Sequence, residues 1–125
     1  MPLLDSNILI DHLHDRSAAV QLVKDLVFSK ETLAGSVICR AEVLNGMRPN
    51  ERKRTLEFLS QFEWLPVTSE ITDISSAYFR QFHNSHGVVL FDSLIAGTAK
   101  SHSLDLLTAN KRHYPMEDIK VIQPY

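Results

Sequence analysis

The chain has 125 residues, 44% of them hydrophobic and 22% charged, which suits one domain (1–125) with a sizeable core. A formal net charge of -2 argues against a binder that holds nucleic acid through bulk positive charge. No stretch has the length to span a bilayer, no signal-peptide pattern opens the chain, and the lone Cys39 has no internal partner, so a cytoplasmic, reducing setting with no membrane contact is expected.

In chain order, Leu3 and Leu4 read as a short buried strand that ends at Asp5. Asp5 or Ser6 is expected to cap the helix carrying Ile8, Leu9, Ile10 and Leu13. Ser17 is expected to cap a second helix, with Val20, Val23, Leu26 and Val27 at helical spacing. Residues 32–36 read as a brief strand, after which Ser36 caps a helix with Ile38, Ala41 and Leu44 that stops at Gly46. Pro49 suits the start of the next helix, striped by Leu56, Leu59 and Phe62. Residues 63–67 predict a strand that Pro66 confines to an edge or an end. Ser69 is expected to cap a helix carrying Ile71, Ile74, Ala77, Tyr78 and Phe82, with a loop over 84–88 turning at Gly87. Residues 91–101 are helical, and the small residues Ala96, Gly97 and Ala99 permit close packing. Residues 104–108 and 119–122 read as the last two strands. Strands separated by helices imply an α/β domain with a mainly parallel sheet, because parallel strands need crossover connections. Ligands of such sheets sit beyond the carboxyl ends of the strands, where Asp5 and the stretch Thr108, Ala109, Asn110 fall.

Three carboxylates stand where elements begin or end: Asp5 in PLLDSNILID, Glu42 in ICRAEVLNG and Asp92 in LFDSLIAGTAK. Taken singly, Asp5 and Asp92 read as helix caps and Glu42 as a solvated helical acid. Ser6 offers an alternative cap that would free Asp5, and the apolar neighbours of Glu42 leave a carboxylate in want of a partner. Brought together, three acids repel unless a cation joins them, and a hard cation on oxygen ligands is a means of hydrolysing phosphodiesters. A haloacid-dehalogenase-type phosphatase would need an Asp where Asn7 stands, and a response-regulator receiver would need an acidic pair that Asp5 lacks. His12 and His14 diverge on a helix, and His83 and His86 lack further ligands, which argues against zinc. No phosphate-binding glycine loop and no nucleophile-elbow serine are present. Cys39 reads as a packed residue, not as a catalytic thiol.

PLLDSNILID, SVICRAEVLNGMR and FDSLIAGTAKSHSLDLLTANKRHYP, in that order over nearly the whole chain, resemble the PIN-domain ribonucleases, and among them the VapC-type toxins of bacterial toxin–antitoxin pairs. The resemblance implies a three-layer α/β domain, its central mainly parallel sheet flanked by helices, and an endoribonuclease dependent on Mg²⁺ or Mn²⁺. Carried over, Asp5, Glu42 and Asp92 are the metal-binding and catalytic acids, and Ser6, Asn7 and Thr108 are the polar positions that support them. Many members carry a fourth acid after the fourth strand; here TANKRHYP offers Asn110 and His113 instead. Asn110 is therefore expected to join the catalytic set through its carbonyl or through water, with one tight metal site and a weak second. Lys111 and Arg112 are expected to touch the RNA backbone. A cognate VapB-type antitoxin and a homodimer also follow from the resemblance; the stripe of Leu56, Leu59 and Phe62 is read as core ahead of dimer surface. The contrasting reading is a non-catalytic PIN-like module that binds RNA or protein without cutting.

Overall fold

The computed structural model describes residues 1–125. Five short strands, β1 (Leu3–Leu4), β2 (Ala34–Ser36), β3 (Glu63–Leu65), β4 (Leu106–Leu107) and β5 (Val121–Ile122), form one sheet in the order β3-β2-β1-β4-β5. Every pairing is parallel, with Leu3 opposite both Ala34 and Leu106. Six helices make the crossovers: α1 (Ser6–Leu13), α2 (Ser17–Phe28), α3 (Val37–Gly46), α4 (Arg52–Leu59), α5 (Ser69–His86) and α6 (Leu90–His102). Single 3-10 turns at Pro49–Glu51 and Lys111–His113 complete the chain. The central strands β1 and β4 are fully apolar because helices cover both faces, and Leu3, Leu4, Ile8, Leu9 and Leu106 have no exposed surface. The expected α/β sheet is therefore present, and it is wholly parallel. No helix is long and apolar enough to cross a membrane.

Backbone pairing continues past the two central strands. The Asp5 amide donates to the Leu107 carbonyl at 2.9 Å, and the Thr108 amide to the Ile122 carbonyl at 3.0 Å. Asp5 and Thr108 are thereby set on neighbouring strand ends at the carboxyl edge of the sheet. β3 is an edge strand, as Pro66 required. There Trp64 covers Gly35; a Cβ on Gly35 would lie 2.5 Å from the Trp64 ring.

Several helix ends differ from expectation. Ser36 caps α3 as expected, its Oγ accepting from the Ile38 amide at 3.1 Å. Ser17 is already inside α2; the residue at the cap position is Arg16, whose amide is bonded to the Asp11 carbonyl by the tight turn after α1. Thr68, not Ser69, caps α5, accepting from the Ile71 amide at 3.2 Å. α5 also runs through residues 84–86, which were expected to be loop. Phe79 stacks on His83, Phe82 meets His86 edge-on, and His83 Nδ1 reaches the Val88 carbonyl at 3.0 Å, so side-chain pairs one turn apart carry the helix on. Gly87 then stops it in the left-handed region, at φ 66°. Gly46 ends α3 without that conformation, and Met47 simply leaves extended.

α5 and α6 cross closely at Gly97, where a Cβ would meet the Ile71 carbonyl oxygen at 3.0 Å. The small residues of α6 therefore have the packing role that their size suggested. Leu59 and Phe62 are buried in the core and Leu56 is half-buried, so that stripe offers no dimer surface. The exposed apolar side chains lie elsewhere, at Val27 and Phe28 and at Val89, Leu90 and Phe91.

Candidate active site

Asp5 follows β1 directly and is almost wholly buried. Its Oδ1 accepts from the Ser6 amide at 2.8 Å, so Asp5 itself is the helix cap and Ser6 does not release it from that task. Its Oδ2 accepts from Thr108 Oγ1 at 2.9 Å and from Tyr114 Oη at 2.8 Å. Thr108 is a hub: its hydroxyl also accepts from Asn7 Nδ2 and from the Asn110 amide, each at 3.1 Å. Asn7 answers with its carbonyl, which accepts from the Ala109 amide at 3.1 Å. A hydroxyl has one proton to give and two lone pairs to share, and Thr108 uses all three. Asn7 and Thr108 thus fasten the start of α1 to the end of β4 and fix the Asp5 carboxylate between them.

Glu42 sits half-buried in the second turn of α3, and Asp92 half-buried in the first turn of α6. Burial holds the Glu42 carboxyl above its ordinary value; the charges of Asp5 and Asp92 add to the rise, and the Ser6 side chain opposes it. Asp92 is raised in the same way, first by burial and then by Asp5, against His113 and Tyr114. The three acids therefore lie in one electrostatic field. They do not form a closed cage: no three His, Cys, Asp or Glu groups converge closely enough to hold an ion as the side chains stand. That arrangement still fits a small hard cation, because Mg²⁺ keeps several waters and takes only one or two carboxylates directly. One phenol reaches both Asp5 and Asp92, at 2.8 Å and 3.5 Å, so two carboxylates flank a single polar spot.

The segment after β4 completes the site. Asn110 Nδ2 lies 3.0 Å from His113 Nε2, and His113 Nδ1 lies 3.6 Å from Asp92 Oδ2. Asn110 thus sets the His113 ring beside Asp92 and, through its amide, buttresses Thr108. Lys111 and Arg112 are exposed on the adjoining 3-10 turn. Tyr114 is the residue that the sequence reading missed. An aromatic in an irregular segment reads as core, and only its hydroxyl hinted at more. Cys39 is buried, and burial, Asp5 and Glu42 push its thiol well above the ordinary range, so it is not a nucleophile. His12 stacks on Phe58 at 4.1 Å, a packing role.

The PIN domain family model matches residues 3–119. This chain is a PIN domain. It is 39% identical to Ribonuclease VapC19 of Mycobacterium tuberculosis over 117 residues, covering 93% of this chain and 94% of that one. It is 38% identical over 120 residues to Ribonuclease VapC10 of the same organism, covering 93% and 87%. Likeness at this identity and coverage places the chain in the VapC group of the PIN family. Its fold superposes on a chain of a toxin–antitoxin complex from Klebsiella pneumoniae with a TM-score of 0.83 at 28% identity, covering 100% of this chain and 98% of that one. FitAcB from Neisseria gonorrhoeae gives a TM-score of 0.77 at 26% identity, covering 99% and 98%.

Proposed function

We propose that this PIN domain is a divalent-metal-dependent endoribonuclease and the toxin of a VapBC-type pair. The observation that carries the reading is the shared field of Asp5, Glu42 and Asp92 at the carboxyl edge of the sheet, where Glu42 and Asp92 are both raised by burial and by Asp5. These three acids hold Mg²⁺ or Mn²⁺, in part through water. When bound, such an ion activates water for attack on phosphorus and offsets charge on the leaving oxygen. Ser6, Asn7 and Thr108 hold Asp5 in place, and Asn110 holds the His113 ring beside Asp92. The exposed Lys111 and Arg112 receive the phosphate backbone, which gives affinity without sequence information. Single-stranded loops of a structured RNA are the substrate class, since their phosphates and bases are accessible. The relatives are named ribonucleases, and one neighbour is a toxin–antitoxin complex, which supports a VapB-type protein as partner. A homodimer in the cytoplasm is the working form.

The test is cleavage of a total-RNA pool with Mg²⁺ or Mn²⁺, repeated with Asp5→Asn and with chelator. Cleavage is expected to need both the metal and Asp5; undiminished metal-dependent cutting by Asp5→Asn rejects the assignment. The missing fourth acid after β4, where Asn110 stands, favours one second reading, a PIN module that binds without cutting. Calorimetry separates the two, because that module takes up neither ion, with or without RNA.

A further inference from the structure

The two oxygens of an ionised carboxylate offer four lone-pair sites. On Asp5, Oδ2 uses both of its sites, for Thr108 Oγ1 at 2.9 Å and Tyr114 Oη at 2.8 Å. Oδ1 uses one for the Ser6 amide at 2.8 Å, and Ser6 Oγ makes only a long contact there at 3.5 Å that an ion can displace. The only free direction on Asp5 is therefore on Oδ1. Tyr114 is what closes Oδ2. Tyr114 is 3% exposed, and its own amide is tied to the Lys111 carbonyl at 3.0 Å, so the phenol has little freedom to swing away. A phenol carries one O–H to donate, and Tyr114 gives it to Asp5 Oδ2. It stands 3.5 Å from Asp92 Oδ1, so its one proton goes to Asp5.

Resting on the metal-dependent reading above, we propose that Tyr114 is a positioning residue that restricts Asp5 to one-oxygen coordination and so selects small octahedral ions over Ca²⁺. The chemistry follows from ion size. Mg²⁺ demands near-ideal octahedral geometry and accepts single carboxylate oxygens, whereas Ca²⁺ takes six to eight oxygens and welcomes both oxygens of one carboxylate. With Oδ2 closed, Asp5 has one oxygen to offer. With Oδ2 opened, it has two.

Titration calorimetry of the full chain with Mn²⁺ and with Ca²⁺, for wild type and Tyr114→Phe, tests this. Phe keeps the ring and removes the hydroxyl. Partners that orient a ligating group typically change metal affinity by about tenfold or more when lost. Mn²⁺ affinity is expected to fall about tenfold in Tyr114→Phe, while Ca²⁺ affinity holds or rises. A general loosening of the site would weaken both ions alike, and that result overturns the proposal, as does no change in either. Wild type that binds neither ion overturns the metal-dependent reading itself, and this one with it. A crystal structure of the wild-type protein grown with Mn²⁺ gives a check that needs no variant. Tyr114 Oη retained on Asp5 Oδ2, with the ion on Oδ1, supports the proposal; an ion bound to Oδ2 refutes it.

Discussion

Asp92→Asn is expected to stabilise the metal-free protein while removing a proposed catalytic acid. Tyr114 Oη lies 2.8 Å from Asp5 Oδ2 and 3.5 Å from Asp92 Oδ1, so those oxygens are at most the sum of these distances apart. At about 6 Å and an effective dielectric constant of about 20, two like charges repel by about 3 kcal/mol. His113 and Tyr114 offset part of this, and the Asp92 side chain is 21% exposed, so the net gain should be about 1–2 kcal/mol. For a domain of this size that is about 4–8 °C in Tm. The pH dependence fixes the cause. The carboxyl of Asp92 is raised on folding, so the native state holds that proton more tightly than the unfolded chain. The penalty is absent below the ordinary value of 3.8 and complete above the raised one, so wild type loses ground to Asp92→Asn as pH rises through that window. Thermal melts in chelator from pH 3 to pH 8 read the gap. Saturating Mn²⁺ should close or reverse it, since a ligand bound only to the native state stabilises it. An Asp92→Asn protein less stable than wild type at pH 7 without metal, or a gap that does not vary with pH, refutes the shared-field argument.

Two further outcomes follow from the packing. Thr108→Val removes a donor from Asp5 and the acceptor of both Asn7 Nδ2 and the Asn110 amide, and should cost about 3 kcal/mol in urea unfolding; Thr108→Ser keeps the hydroxyl and should cost less than about 1.5 kcal/mol. Equal losses would show that the methyl, not the hydroxyl, matters there. Gly97→Ala sets a Cβ 3.0 Å from the Ile71 carbonyl oxygen and 3.3 Å from the Ser75 nitrogen, both backbone atoms that cannot swing aside. It should cost about 1–3 kcal/mol despite the better helix propensity of Ala, and a gain in stability would disprove the close crossing.

Asp5 and Asp92 stand out in sequence because a short apolar run or a helix start marks their positions, and parallel topology gathers strand ends at one edge. Glu42, in the second turn of α3, stands out through its apolar neighbours and the family resemblance. Asn7 and Thr108 belong to that edge for the same reason, through the bond from the Asp5 amide to the Leu107 carbonyl. Tyr114 was not legible. It lies beyond β4 in a segment whose path depends on long-range packing, and neither periodicity nor a cap marks where its hydroxyl points. Local competition explains the misplaced ends: Thr68 and Ser69 are equally good caps in sequence, and the rings of Phe79, Phe82, His83 and His86 prolong α5 through residues that read as a loop. Burial of Leu59 and Phe62 could be separated from surface exposure only once α4 had a neighbour.

The bonds that settle Asp5 come from Thr108 and Tyr114, 103 and 109 positions further along the chain. During synthesis Asp5 thus waits for Thr108 and Tyr114 to emerge before its surroundings exist. A chain stopped short of Thr108 carries Asp5 with neither of those donors.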